Sequence, residues 1–289
     1  MPAELPYPGL AWAAATQEGR EWLARLPELV RGCADRWQLT LGPAFDGAQA
    51  SLAMPAARAD GTPVVVKVQF PHRECEHEAA ALRRWDGRGA VRLLDHDPER
   101  WALLLERCEP GTRLREADPE QALDVLAGLL PRLWVDAGAP FTRLEDEAAW
   151  WASTIETDWE AAGRQVARPL VDAALEAIGD LSATQPERVL LHQDLHGDNV
   201  LAATREVWLA IDPKPLVGER AFGLAPIVRS YELGHSREAA VRRLDVLSDR
   251  LGVDRERARR WTIAQTVAWS LDPGADPHHR ETLAWLMEA

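Results

Sequence analysis

Apolar positions in the first hundred residues change period after a single helix. Between Glu21 and Trp37, the residues Trp22, Leu26, Leu29, Val30, Cys33 and Trp37 recur at helical spacing and predict one buried face. Beyond them the spacing shortens. Gln38 to Leu41, Gln49 to Met54 and Val64 to Phe70 read as strands, and the Asp60-Gly61 turn signal between the last two predicts an antiparallel hairpin. A helix is expected from Glu74 to Trp85, stopped by Asp86-Gly87, with further strands at Val91 to Leu94 and Trp101 to Arg107. The result is a meander of roughly five strands.

After Cys108-Glu109-Pro110-Gly111 the texture turns to Ala/Leu/Glu/Arg-rich helical segments, interrupted at Asp118-Pro119, Gly138-Ala139-Pro140 and Gln185-Pro186. Only Val189 to Leu191, Val200 to Ala202 and Val207 to Ile211 look extended there. An α+β chain follows, with a sheet-bearing first part, residues 1–107, and a mainly helical second part, residues 108–289.

Bulk properties narrow the function. With 289 residues and 46% hydrophobic content the chain can bury a sizeable core. Its longest apolar runs, such as Val64-Val65-Val66 and Leu103-Leu104-Leu105, fall far short of the roughly 18 residues of a membrane span. Met1 to Pro6 shows no basic stretch followed by an apolar core, so a cytoplasmic location is expected. The three cysteines, Cys33, Cys75 and Cys108, have unrelated spacings and read as reduced thiols. A net charge of -13 opposes a nucleic-acid partner and suits a small cationic or neutral ligand, although solubility alone accounts for such acidity. The expected assembly is a monomer or weak dimer.

The candidate chemistry centres on His192-Gln193-Asp194-Leu195-His196-Gly197-Asp198-Asn199. Downstream, Val207 to Ile211 reads as a strand that delivers Asp212 to its end. Phosphoryl transfer needs a base for the acceptor hydroxyl and hard oxygen ligands for magnesium; Asp194 suits the first role, Asn199 and Asp212 the second. In the first part, Lys67 interrupts an apolar strand, where an unpaired ammonium is costly, so it requires an anionic partner. Glu78 on the following helix is preferred over Glu74 and Glu76. Such a Lys–Glu pair holds the phosphates in protein kinases. Phe45 to Ser51 then falls where a phosphate-covering loop belongs, with Gly47 for the turn and the amides of Ala48, Gln49 and Ser51 as donors; an ordinary hairpin turn is the alternative.

Together these residues resemble the aminoglycoside phosphotransferase family, and more closely its streptomycin 6-phosphotransferase and hydroxyurea phosphotransferase branch. The phrases concerned are Val66-Lys67-Val68, His77-Glu78-Ala79, Leu104 to Gly111, His192 to His196 and Ile211-Asp212-Pro213-Lys214-Pro215-Leu216-Val217-Gly218-Glu219. The resemblance spans nearly the whole chain. It implies a protein-kinase-like two-lobed fold that uses ATP or GTP with Mg2+, the base bonded to backbone groups around Glu106, Arg107 and Cys108. It also implies Asp194 as catalytic base, Asn199 and Asp212 as magnesium ligands, Lys67 as phosphate contact and Glu78 as its partner. One position departs from the branch: Glu219-Arg220-Ala221-Phe222 is followed by Gly223 where an Asp is frequent, which questions the support of the catalytic loop.

For a cationic acceptor, carboxylates near that loop are expected, with Asp158, Glu160 and Glu232 as candidates and Trp159 and Trp269 as flat contact surfaces. Packed or solvated helix positions are the plainer reading of all five. Two rival functions remain: a nucleotide-binding sensor that has lost the reaction, and a zinc hydrolase built on His192, Asp194, His196 and Asp198. In the kinase reading His192 and His196 brace the loop instead.

Overall fold

The computed structural model describes residues 8–45, 50–271 and 275–289. The chain divides into two compact units, Met1–Gly111 and Thr112–Ala289, so the Cys108 to Gly111 break belongs wholly to the first.

In the first unit the helix α1 (Gln17–Trp37) opens on Thr16, whose hydroxyl accepts from the Gly19 amide at 3.0 Å. Gly19 is required there, since a Cβ would meet the Ala13 carbonyl oxygen at 1.9 Å. The strands β1 (Leu39–Leu41), β2 (Ser51–Arg58), β3 (Pro63–Gln69), β4 (Leu93–Asp97) and β5 (Ala102–Glu106) form one antiparallel sheet in the order β1-β2-β3-β5-β4. The expected hairpin is present, with Gly61 at φ 85° and its amide on Arg58 O at 2.9 Å. Alternation divides β3: Val64, Val66 and Val68 join Leu52, Met54, Ala56, Ala102 and Leu104 against Trp22, Leu26, Val30 and Cys33 of α1. Lys67 and Gln69 therefore point the other way.

The next helix, α2 (Glu78–Trp85), starts one turn later than the expected Glu74, because Glu74 to His77 form turns in which the Cys75 amide bonds His72 O. Strand β4 runs three residues beyond the expected Leu94, through Asp95 and His96, polar side chains that an edge strand tolerates.

The second unit carries α3 (Pro119–Leu133), α4 (Leu144–Ala161), α5 (Arg168–Ser182), α6 (Ala225–Arg229), α7 (Arg237–Leu251), α8 (Arg255–Ser270) and α9 (His278–Met287). Asp118 caps α3 by accepting from the amides of Glu120 and Gln121. Helix α8 is the core element. Its Trp261, Thr262, Ile263, Ala264, Gln265, Thr266 and Val267 are all buried, and it packs on α5, α6, α7 and α9. Two small sheets carry the loops between helices: β6 (Thr142–Arg143), β10 (Leu216–Gly218) and β7 (Val189–Leu191) form one, while β8 (Val200–Ala202) and β9 (Trp208–Ala210) form a hairpin. The expected α+β organisation is thus realised, a sheet-bearing first unit and a mainly helical second one. Among the described residues no helix is long and apolar enough to cross a membrane.

Candidate active site

Within the first unit, Lys67 Nζ lies 2.6 Å from Glu78 Oε2, and Gln69 Nε2 donates to the same oxygen at 2.6 Å. Both charged side chains are buried, so each offsets the desolvation of the other. Glu78 is the partner because it opens α2, whereas Glu74 and Glu76 sit in the preceding turns. Ser51 begins β2 opposite Gln69. Gly47, Ala48 and Gln49 lie outside the described residues. At the end of β5, the Glu106 amide donates to Arg92 O at 3.0 Å while its carboxylate accepts from Arg92 N at 2.9 Å. Arg107 pairs with Glu109 at 3.7 Å, and Cys108 is buried.

Within the second unit, two segments interlock. The Ile211 amide donates to Asn199 O at 2.9 Å, His192 Nε2 donates to Ile211 O at 3.0 Å, and the Lys214 amide donates to His192 O at 3.0 Å. These bonds bring Asp194, Asn199 and Asp212 to one end of the β8–β9 hairpin. Asp212 adopts a left-handed backbone, φ 56°, uncommon for a non-glycine residue and an indicator of local constraint at a site. His192 is fully enclosed, and burial pushes its pKa down to about 4, so it stays neutral and serves as a hydrogen-bond brace.

Burial alone would raise the Asp194 carboxyl, but the neighbouring cations outweigh it and hold the group well below the usual carboxylate range. Lys214 Nζ is 2.7 Å from Oδ2, Arg229 Nη2 is 3.8 Å from Oδ1, and His196 Nε2 is 3.8 Å from Oδ1. Asn199 Nδ2 donates to Asp194 O at 2.9 Å and reaches Oδ2 at 3.3 Å. With its nitrogen committed there, Asn199 presents Oδ1 as a hard oxygen donor, and together with the Asp212 carboxylate this donor set fits magnesium.

Glu232 stands one step behind. Its Oε1 accepts from His196 Nδ1 at 3.1 Å, Gly197 N at 3.1 Å and Ser230 Oγ at 2.9 Å. Burial would raise Glu232, but the His196 hydrogen bond and charge bring it down to about 2. In turn, burial would lower His196, and the bond to Glu232 with the Asp194 and Glu232 charges raises it on balance. Glu232 is therefore a buttress of the 192–199 loop. Its expected role as a contact for a cationic acceptor is corrected, because its oxygen already serves three donors and its side chain is only 6% exposed. The ring of Trp269 lies against Arg229 at 4.3 Å and Lys214 at 5.0 Å.

Asp158 and Glu160 are exposed on α4, Glu160 pairing with Arg164 at 3.0 Å, and neither bonds to the 192–199 segment. Trp159 carries Arg164 and Arg168 on its ring at 5.2 and 5.3 Å. Gly223 faces Leu191 and Trp134, each 3.3 Å from where a Cβ would stand, so a side chain at this position would crowd both. Lys214 and Arg229 were not expected as site residues. The only signal for Lys214 was its place in the Asp212-Pro213-Lys214-Pro215 phrase, and for Arg229 a charge that ends the apolar run from Phe222 to Val228.

The zinc reading fails on geometry. His192 to Asn199 is not a strand but a loop ending in a short 3-10 turn, so its alternate side chains diverge. His192 turns to Ile211, and Asp198 pairs with Arg113 at 3.4 Å and Arg115 at 3.2 Å. Among the described residues the one cluster of three His, Cys, Asp or Glu side chains close enough to share an ion is His196, Asp198 and Glu232, whose ligand atoms lie within 4.8 Å of one another. Two arginines and an imidazole–carboxylate hydrogen bond already neutralise it.

A buried Lys–Glu pair on an antiparallel sheet and an Asp–Asn–Asp constellation on a helical unit define a phosphotransferase of protein-kinase-like fold. Solved structures share that fold: choline kinase LicA from Streptococcus pneumoniae aligns with a TM-score of 0.67 at 16% identity, covering 92% of this chain and all (100%) of that one. A ternary complex of a thermostable mutant of aminoglycoside phosphotransferase APH(4)-Ia with ADP and hygromycin B aligns at 0.65 and 13%, covering 89% and 96%. The chain belongs to the aminoglycoside/hydroxyurea antibiotic resistance kinase family, whose model matches residues 36–274. It is 40% identical to streptomycin 6-kinase of Streptomyces griseus, over 89% of this chain and 87% of that protein. It is 41% identical to hydroxyurea phosphotransferase of Kitasatospora aureofaciens, over 95% and 81%.

Proposed function

We propose that this protein transfers the γ-phosphate of ATP or GTP to a hydroxyl of a streptomycin-type aminoglycoside, in the cytoplasm, as a monomer or weak dimer. The observation that carries the reading is Asp194, a carboxylate kept ionised by surrounding cations and oriented by Asn199. An ionised, oriented carboxylate can accept the proton of the acceptor hydroxyl as that oxygen attacks. Asn199 Oδ1 and Asp212 would hold Mg2+, which when bound neutralises charge on the phosphate oxygens. Lys67, held by Glu78, is assigned to the nucleotide phosphates, the backbone around Glu106, Arg107 and Cys108 to the purine, and the Gly47, Ala48 and Ser51 loop to phosphate cover.

For the acceptor, the structure favours a face not anticipated from sequence. Tyr231, 37% exposed and adjacent to Glu232, stacks on His278 at 4.7 Å, and His278 Nδ1 pairs with Asp276 at 2.6 Å. His279, next along α9, is pushed down to about 4 by burial and by the Arg229 charge, against the opposing charges of Asp276, Asp194 and Glu232. An aromatic surface beside a carboxylate suits a sugar that bears guanidinium groups.

A hydroxyurea-type acceptor is the second reading, favoured by the 41% identical hydroxyurea phosphotransferase. Transfer of γ-labelled phosphate from each nucleotide to streptomycin, other aminoglycosides and hydroxyurea tests both. Labelled streptomycin is the expected result. Labelled hydroxyurea alone would support the second reading, and tight nucleotide binding without transfer to any acceptor would support a sensor.

A further inference from the structure

Asp194 is flanked by two unlike cations. Arg229 is 6% exposed, donates to Gln265 Oε1 at 2.7 Å, and lies on Trp269; Gln265 in turn donates to Gln193 O at 3.2 Å. That guanidinium is fixed in the wall of the site. Lys214 shares the Trp269 ring, at 5.0 Å, but differs in exposure and reach. Its backbone is held between Pro213 and Pro215 and by the bond to His192 O, but its side chain is 24% exposed and ends on a flexible stem. Its ammonium covers Asp194 Oδ2 at 2.7 Å, on one of the two oxygens that the acceptor hydroxyl has to approach.

A base that is to take a proton cannot keep that oxygen covered. In-line transfer places the attacking hydroxyl about 3 Å from the base and about 3–3.5 Å from phosphorus, so γ-phosphate oxygens come within roughly 6 Å of the Asp194 carboxyl. A lysine pivoting on its four-carbon stem spans that distance. Arg229 remains behind to hold Asp194 ionised.

Resting on the phosphotransferase reading, we propose that Lys214 is a catalytic residue that leaves Asp194 for the γ-phosphate when the nucleotide binds, freeing the base and neutralising the transferred group together. The ammonium gives up no proton. The acceptor O–H proton passes to Asp194 as the new oxygen–phosphorus bond forms. The phosphorus–bridging oxygen bond breaks, and its electron pair leaves on the nucleoside diphosphate. A cation placed where negative charge is transferred acts mainly on the barrier and on recognition of the third phosphate.

Calorimetric titration of the full chain and of Lys214→Met and Lys214→Arg with Mg–ADP and Mg–AMP-PNP, and with the guanine counterparts, tests this. Lys214→Met is expected to weaken the triphosphate analogue about tenfold while leaving the diphosphate unchanged, and to lower kcat more than it raises the acceptor KM. Lys214→Arg should recover part of the analogue affinity. Equal weakening of both nucleotides would make Lys214 a support of the fold, and no change in either would confine it to Asp194; either result overturns the inference. A wild-type chain that binds neither nucleotide would overturn the phosphotransferase reading as well.

Discussion

Asn199 Nδ2 donates to the main-chain oxygen of Asp194 at 2.9 Å and reaches its carboxylate at 3.3 Å, so Asp194 and the amide five residues downstream are one mechanical unit. Asn199→Ala removes an oxygen donor and that orienting bond at once. Turnover should fall by roughly 10²–10³-fold, with the remaining activity requiring more Mg2+ for half-saturation. Turnover measured against Mg2+ concentration checks this; an unchanged requirement would remove Asn199 from the metal site.

Glu232 gives the loop a pH signature. It titrates at about 2 when folded against 4.5 for the free group, so the unfolded chain takes up its proton first, and this stabilisation is lost as pH falls through that window. Glu232→Gln should cost about 3 kcal/mol at neutral pH, and the difference from wild type should shrink steadily below pH of about 4.5. Denaturant unfolding of both chains from pH 7 to 3.5 measures it. A difference that stays constant with pH would contradict the buttress role.

In the first unit, Lys67 and Glu78 are each buried against the other. Glu78→Leu removes the carboxylate that neutralises the buried ammonium and should destabilise by about 3–5 kcal/mol. Adding Lys67→Met should restore most of that stability without restoring turnover. Unfolding curves beside turnover separate the two effects, and a double variant no more stable than Glu78→Leu would contradict the pairing account.

Much of this arrangement was legible because the signals were local. Lys67 stood out as a charge in an apolar strand, Asp60-Gly61 marked the hairpin that β2 and β3 form, and the 192–199 phrase carried Asp194 with its Asn199 partner. The rest depended on contacts distant in sequence. Arg229 and Glu232 reach the loop only after α6 and the turn that follows it fold back, and composition could not separate Glu232 from the surface acids Asp158 and Glu160. The strand β6 has two residues, too few for any periodicity, and exists only through pairing with β10. Helix α2 lost its expected first turn because the turns at Glu74 to His77 make bonds that helical propensity does not foresee.

On the acceptor side, Tyr231→Ala removes the ring stacked on His278. The KM for the acceptor should rise about tenfold or more with little change in nucleotide affinity, the loss of a cation–aromatic or stacking contact. Steady-state kinetics with each substrate varied in turn distinguish this from a general loss, which would contradict an acceptor face at Tyr231.

The most direct test of the central claim is single-turnover phosphate transfer by Asp194→Asn against wild type, with nucleotide affinity measured in parallel. If Asp194 is the base, transfer falls by roughly 10²–10⁴-fold while nucleotide binding persists. Transfer at the wild-type rate would contradict the account.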